Sequence, residues 1–277
     1  MTLQHVAVGT DGSLVAVRAL DWAADEAVRR GAGLRILYAV PDRDQAGPVL
    51  ASATARVQAR HPGLAVTSRA VAGSPVPALA EESEGAALTV VGTRGFGGVT
   101  GLLAGSVSLR LAAQARGPLL VVRGDHPCDG AQEVLLGLED DCDAEAAAYA
   151  FDEAERRGVR LRVLHSRTHR HITPELPSLI PATSPGQRRL AREEHAEEAV
   201  PRFSLALLEE QHPGVAVDAR TVRSSPADAL LAATGGTAVV VIGAHRRTGR
   251  LGPQLGSVAH TLLHRSHCPV VLVPTTG

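Results

Sequence analysis

The sequence predicts an α/β protein of two tandem domains, each a parallel β-sheet doubly wound with helices, and three observations carry that prediction. Short apolar runs alternate with helical periodicity along the chain, the pattern of βαβ units joined by right-handed crossovers. The pattern restarts midway, so one supersecondary plan is used twice. One apolar run also leads straight into a glycine-rich loop, Val90-Val91-Gly92-Thr93-Arg94-Gly95-Phe96-Gly97-Gly98-Val99-Thr100-Gly101-Leu102-Leu103-Ala104-Gly105-Ser106, whose final Gly-Ser pair opens a helix.

In the first copy, Leu3–Gly9 reads as a buried strand and Thr10-Asp11-Gly12-Ser13 as the turn into a helix. Ser13 is suited to the N-cap, and Val17, Leu20, Ala24, Ala27 and Val28 form the apolar stripe. Gly31 and Gly33 end that helix before a second strand over Leu34–Val40. A short helix over Pro48–Arg60 is broken by His61-Pro62-Gly63, and Leu64–Val71 alternates as a third strand. Helix over Pro75–Glu84, strand over Ala87–Val91, the glycine loop, helix over Ser106–Arg116 and strand over Pro118–Val122 complete five strands.

The second copy restates the first. Gly9 lines up with Gly137, 128 residues on, and His61-Pro62-Gly63 with His212-Pro213-Gly214, 151 residues on. Ser74-Pro75 returns as Ser225-Pro226, Val90-Val91-Gly92 as Val241-Ile242-Gly243, and Gly105-Ser106-Val107 as Gly256-Ser257-Val258. The change of offset places a longer second crossover within residues 167–211. The predicted units are residues 1–123 and 133–277, joined by a polar linker over 124–132 that contains Gly, Pro and Asp.

Composition removes several function classes. At 277 residues and 44% hydrophobic, the chain can bury a sizeable core, and its net charge of −1 gives no pull toward nucleic acid or an anionic membrane. Aromatics are only 2%, too few for base-stacking platforms. No apolar run approaches the roughly 18 residues of a membrane span, and the N-terminus lacks the pattern of an export signal. Cys128, Cys142 and Cys268 are scattered and never spaced C-x-x-C, which fits a reducing cytoplasm. The chain contains neither lysine nor asparagine, so a Walker-type loop, a Schiff-base lysine and kinase-type chemistry are absent. A phosphate site here must use backbone N–H groups, hydroxyls and arginine.

The glycine loop has the chemistry for that task. Glycine lets backbone N–H groups crowd an anion, and a following helix start adds unpaired N–H groups. In open α/β sheets ligands sit beyond the carboxyl ends of the strands, where strand order reverses. If the first and fourth strands are neighbours, the Asp11 turn and the Gly92 loop meet in one crevice.

Gly92-x2-Gly95-x9-Gly105-Ser106 behind a strand, together with Val8-Gly9-Thr10-Asp11-Gly12-Ser13, resembles the signature of the universal stress protein family, over nearly the whole chain as two tandem domains. The resemblance implies flavodoxin-like (Rossmann-like) domains, each with a five-stranded parallel sheet flanked by helices and pairing through the last strands. It implies a role in stress response or dormancy. It further implies ATP as ligand, with Asp11 at the nucleoside, the Ala39 backbone beside the adenine, and Gly92, Gly95, Gly105, Ser106 and Val107 around the phosphates; Thr10 and Arg94 beside them are candidate ATP-binding residues, and magnesium is a candidate bridge between the phosphates.

The second copy departs from the signature. Glu139-Asp140-Asp141 replaces Asp11-Gly12-Ser13, and Arg246 replaces Gly95 within Gly243-x2-Arg246-x9-Gly256-Ser257. Added carboxylates repel a triphosphate, so the expectation is an ATP-binding first domain and a weakened or empty second one at Gly243, Arg246, Gly256 and Ser257.

Plainer readings stand beside these. A glycine loop is also a common connection, Asp11 also serves as a helix cap, and Arg94 and Arg110 are ordinary as solvated arginines. His260 and His264 sit i,i+4 before His267 and Cys268, but no glutamate stands between them as in H-E-x-x-H, and a helix terminus accounts for the cations. No metal site is expected. His245 stands in the degenerate loop, within reach of an anion. No nucleophile elbow is present, so the expectation is a non-enzyme, or at most slow ATP hydrolysis. The competing classes are a nucleotide-free scaffold of the same fold and a slow ATPase; the expected partners are an adenine nucleotide, the sister domain and a homodimer partner.

Overall fold

The computed structural model describes residues 5–41, 43–93, 106–123, 133–139, 143–166, 205–222, 224–245, 247–249 and 252–275. The first half runs β1 (His5–Gly9), α1 (Leu14–Arg29), β2 (Gly33–Val40), α2 (Gly47–Arg60), β3 (Val66–Ala72), α3 (Pro75–Glu82), β4 (Ala86–Gly92), α4 (Ser106–Ala112) and β5 (Leu119–Val122). The second half runs β6 (Glu133–Leu138), α5 (Ala144–Arg157), β7 (Arg160–Ser166), the helical residues 205–211 as α6, β8 (Val217–Val222) and α7 (Pro226–Ala233). It ends with β9 (Val239–Ala244), β10 (Arg247–Gly249), β11 (Gly252–Gln254), α8 (Ser257–Arg265) and β12 (Val270–Pro274).

Ten of these strands form one sheet in the order β3-β2-β1-β4-β5-β12-β9-β6-β7-β8. In this sheet pairing is parallel within each half and antiparallel where β5 meets β12, with Val121 opposite Val270, Leu120 opposite Val271 and Leu119 opposite Leu272. The two halves therefore share a sheet through their last strands. Both seam strands are apolar at nearly every position, because a central strand of a doubly covered sheet has no solvent face. Alternation along β1 sends Val6 and Val8 into the core under α1 and α2, and Ala7 into the core under α3 and α4.

Two features differ from the sequence expectation. Helix α4 stops at Ala112 rather than Arg116. Past it, Ser83 Oγ accepts from the Arg116 N–H at 2.8 Å, and a Cβ on Gly117 would stand 2.3 Å from the Ser83 carbonyl oxygen, so packing against the end of α3 unwinds the last turn. The degenerate loop of the second half contains a two-stranded antiparallel ladder, β10 with β11, where only a loop was foreseen.

A buried charge network spans the seam on the α1 and α5 face. Arg157 of α5 binds Glu26 of α1, and Arg30 binds Glu153 at 2.7 Å and Tyr149 Oη at 2.7 Å. Glu26 and Glu153 are 1% and 2% exposed, so each carboxylate is desolvated and held by arginines, with Arg29 also on Glu26 and Arg156 also on Glu153. Burial pushes the Glu153 carboxyl up, but Arg157, Arg30 and Arg156 outweigh it and hold the group below the ordinary carboxylate range. Arg157 also lies over the Trp22 ring, 5.6 Å from its centroid.

Candidate functional site

The first crevice opens at the carboxyl ends of β1 and β4, which are direct neighbours, Val8 opposite Val90. The turn leaving β1 is tied at several points. The Thr10 N–H donates to the Leu37 carbonyl at 2.9 Å, the Gly12 N–H to Thr10 Oγ1 at 3.3 Å, and the Ser13 N–H to Asp11 Oδ1 at 3.0 Å. Gly12 takes φ +81°, a left-handed conformation that a side chain would resist. Ser13 caps α1 as foreseen, its Oγ accepting from the Ala16 N–H at 3.2 Å. Thr10 is buried and the Asp11 carboxyl is half-buried at the crevice wall.

Opposite this turn, Gly92 ends β4 against the first turn of α1. A Cβ there would stand 2.7 Å from Val15 Cγ1 and 3.0 Å from the Val15 carbonyl oxygen. Only glycine lets the strand end and the helix start close the crevice floor together. Thr93, 5% exposed, continues from it with its N–H on the Val122 carbonyl at 3.0 Å. Ala39 lies half-buried near the end of β2, beside Val71 of β3. Ser106 opens α4 and Val107 packs half-buried on the core of that face. Arg94, Gly95 and Gly105 lie outside the described residues.

The second crevice has the same strand ends and different contents. Asp143 occupies the repeat position of Val15, and its Oδ1 lies 1.9 Å from where a Cβ on Gly243 would stand. Its Oδ2 accepts from the Glu139 N–H at 2.7 Å, and its Oδ1 faces His245 Nε2 at 3.1 Å. His245 Nδ1 meets Thr275 Oγ1 at 3.2 Å. Asp143, His245 and Thr275 thus cluster beyond the strand ends of β6, β9 and β12. Beside it, His165 Nε2 donates to the Glu139 carbonyl at 3.2 Å, and Ser166, at the repeat position of Ala39, donates to the Ser224 carbonyl at 2.5 Å. Gly256 stands at the N-cap of α8 without a side-chain cap bond, Ser257 follows it, and Arg246, Asp140 and Asp141 lie outside the described residues.

The remaining histidines do not converge on a common centre among the described residues. His260 and His264 stack at 4.3 Å between ring centroids, and burial, His260 and Arg123 push the His264 imidazole below its ordinary pKa. His267 Nδ1 meets Thr234 Oγ1 at 3.2 Å instead. Cys268 is buried with its thiol pushed up to about 11 by that burial. Cys128 and Cys142 lie outside the described residues.

Comparison with known proteins agrees with this architecture. The family model described as "Universal stress protein family" matches residues 2–61, 49–123 and 131–274. The chain belongs to the universal stress protein family. A universal stress protein of Mycobacterium tuberculosis H37Rv is 32% identical over 295 residues, covering 97% of each chain. One from Mycolicibacterium smegmatis is 32% identical over 292 residues, covering 97% of this chain and 96% of its own. The crystal structure of a universal stress protein from Archaeoglobus fulgidus overlays with a TM-score of 0.64 at 17% identity, covering 99% of both chains, a likeness of fold. Among the described residues no helix is long and apolar enough to cross a membrane.

Sequence reasoning passed over Thr93, Val15, Asp143 and Thr275. Asp143 left a signal: the repeat alignment sets a carboxylate where the first copy has a half-buried valine at a packing position, where charge is uncommon without a partner. His245 faces a carboxylate of the chain itself, that of Asp143.

Proposed function

We propose that the first half binds an adenine nucleotide, ATP, as a regulatory ligand in a cytoplasmic stress response, and that the second half binds it weakly or not at all. The adjacency of β1 and β4 carries this reading, since it brings the Asp11 turn and Gly92 to one crevice at the point where strand order reverses. In the reading the family signature suggests, the Asp11 carboxylate takes the ribose hydroxyls and the Ala39 backbone lies beside the adenine. Gly92, Arg94, Gly95, Gly105, Ser106 and Val107 surround the phosphates, and magnesium screens their charge. The role assigned is binding, with the output a changed surface for a partner protein or a second copy of the chain.

A nucleotide-free scaffold is favoured only in the second half, where Asp143 and Thr275 both contact His245 at the crevice. Calorimetric titration with ATP and magnesium separates the readings. About one nucleotide per chain, lost in Gly105→Asp, supports the proposal. No heat from a folded wild-type chain leaves the scaffold, and two equivalent sites overturn the assignment of the second half.

A further inference from the structure

A groove of about 250 Å³ lies on the α3 face of the first half, at the amino ends of β1 and β2. It opens beside His5, at the other end of β1 from the Asp11 turn, about 13 Å along the strand. Its walls combine three chemistries. Leu37, Val71 and Ala78 are apolar, His5, Arg35 and Arg69 are basic, and Glu81 and Glu82 are acidic. Part of that charge is already satisfied, because Glu82 Oε1 binds His5 Nε2 at 2.6 Å and Arg35 at 2.5 Å. Arg69 and Glu81 are different: neither has an ion-pair partner among the described residues, yet both line the one groove.

The second half supplies an internal control. The repeat retains the arginines as Arg162 and Arg220 and the apolar floor as Leu164, Val222 and Ala229. There the charges are closed off within the strands. Arg162 and Arg160 bind Glu133 at 3.4 and 2.8 Å, and Arg220 binds Asp218 at 2.9 Å. Glu81 and Glu82 become Ala232 and Ala233, so the acidic wall is missing. The first half alone presents an unmatched cation and an unmatched anion across an apolar floor.

We propose that this groove binds a small zwitterion, an aliphatic α-amino acid. Its carboxylate pairs with the Arg69 guanidinium, its ammonium with the Glu81 carboxylate, and its side chain covers Leu37, Val71 and Ala78. Charge-assisted hydrogen bonds at both ends give recognition that a singly charged molecule cannot match. The volume, below the usual range for drug-sized ligands, suits a molecule of this size. The site is separate from the nucleotide crevice and does not depend on it.

The test is calorimetric titration of the full chain with L-leucine, with 4-methylpentanoate and 3-methylbutylamine as the two singly charged controls. Saturable binding of leucine is expected, with each control weaker by about tenfold or more. Arg69→Ala and Glu81→Ala should each weaken leucine by about tenfold or more, while Arg220→Ala in the second half leaves it unchanged. Both groove residues are exposed, so an unaltered thermal melt establishes that the variants fold. No saturable heat with leucine overturns the proposal, as does equal binding to Arg69→Ala. Carboxylate binding as tight as leucine makes the groove an anion site and overturns it as well.

Discussion

The two crevices are built on the same strand ends and differ in what fills them. At the close approach between the fourth strand of the repeat and its first helix, the first half puts Val15 against Gly92, and the second puts Asp143 against Gly243. Valine offers no polar group there, and Thr10 and Asp11 each accept a hydrogen bond from an N–H of their own turn. The aspartate is not inert. Buried, it faces His245 Nε2 at 3.1 Å, and His245 meets Thr275, so side chains of the second half itself occupy the space between the start of α5 and the ends of β9 and β12. One substitution at a packing position replaces an apolar contact with a buried carboxylate that faces an imidazole.

The largest expected effect falls on what the halves share. Glu153→Ala leaves Arg30 and Arg157 at the seam with only Glu26 for charge balance. It should cost about 3 kcal/mol of stability, the scale of breaking a buried pair. The sign with pH follows from the lowered Glu153 carboxyl: its contribution is complete above the unfolded value and is lost as pH falls through the folded one. Chemical denaturation at neutral and at acid pH should therefore show a variant deficit that narrows in acid. A deficit that stays constant would mean the network does not act through ionised Glu153.

A smaller effect separates the halves. Gly92→Ala meets Val15 backbone and side chain, with nothing flexible to yield, and should cost about 1–3 kcal/mol. Gly243→Ala meets chiefly the Asp143 carboxylate, which can swing away with loss of the His245 contact. Its melting temperature should fall less than that of Gly92→Ala, and the His245 imidazole resonances should shift in NMR spectra of Gly243→Ala only. Equal loss in both would mean that Asp143 is as fixed as the backbone it replaces.

Much of this was legible in the chain. The repeat located strands and helices to within a few residues, because β1 and its counterpart β6 carry runs that only a buried strand accommodates, Val6-Ala7-Val8 and Val134-Leu135-Leu136. The pairing condition for the crevice, β1 beside β4, was an inference from topology that the sheet order meets. Side-chain partnerships were not legible. Periodicity says that Glu26 lies on a helix, but not that Arg157, 131 residues on, binds it. The charge excess at Glu139-Asp140-Asp141 was visible as composition, whereas the decisive carboxylate, Asp143, looked like the start of a helix.

The finest test restores the first half's residue in the second. Asp143→Val removes the carboxylate that faces His245 and recreates the Val15–Gly92 contact at Gly243. In a Gly105→Asp background, where the first crevice is blocked, the added Asp143→Val should bring back nucleotide binding, about tenfold weaker than the native site because Glu139 stays at the mouth. Titration of both chains with ATP reads this directly. If the folded double variant binds nothing while the wild type binds one nucleotide, Asp143 is not the gate, and the exclusion lies in the loop that carries Arg246. If Gly105→Asp alone already binds, the second crevice was never closed, and the Asp143–His245 contact opens at a cost small beside the affinity of the nucleotide.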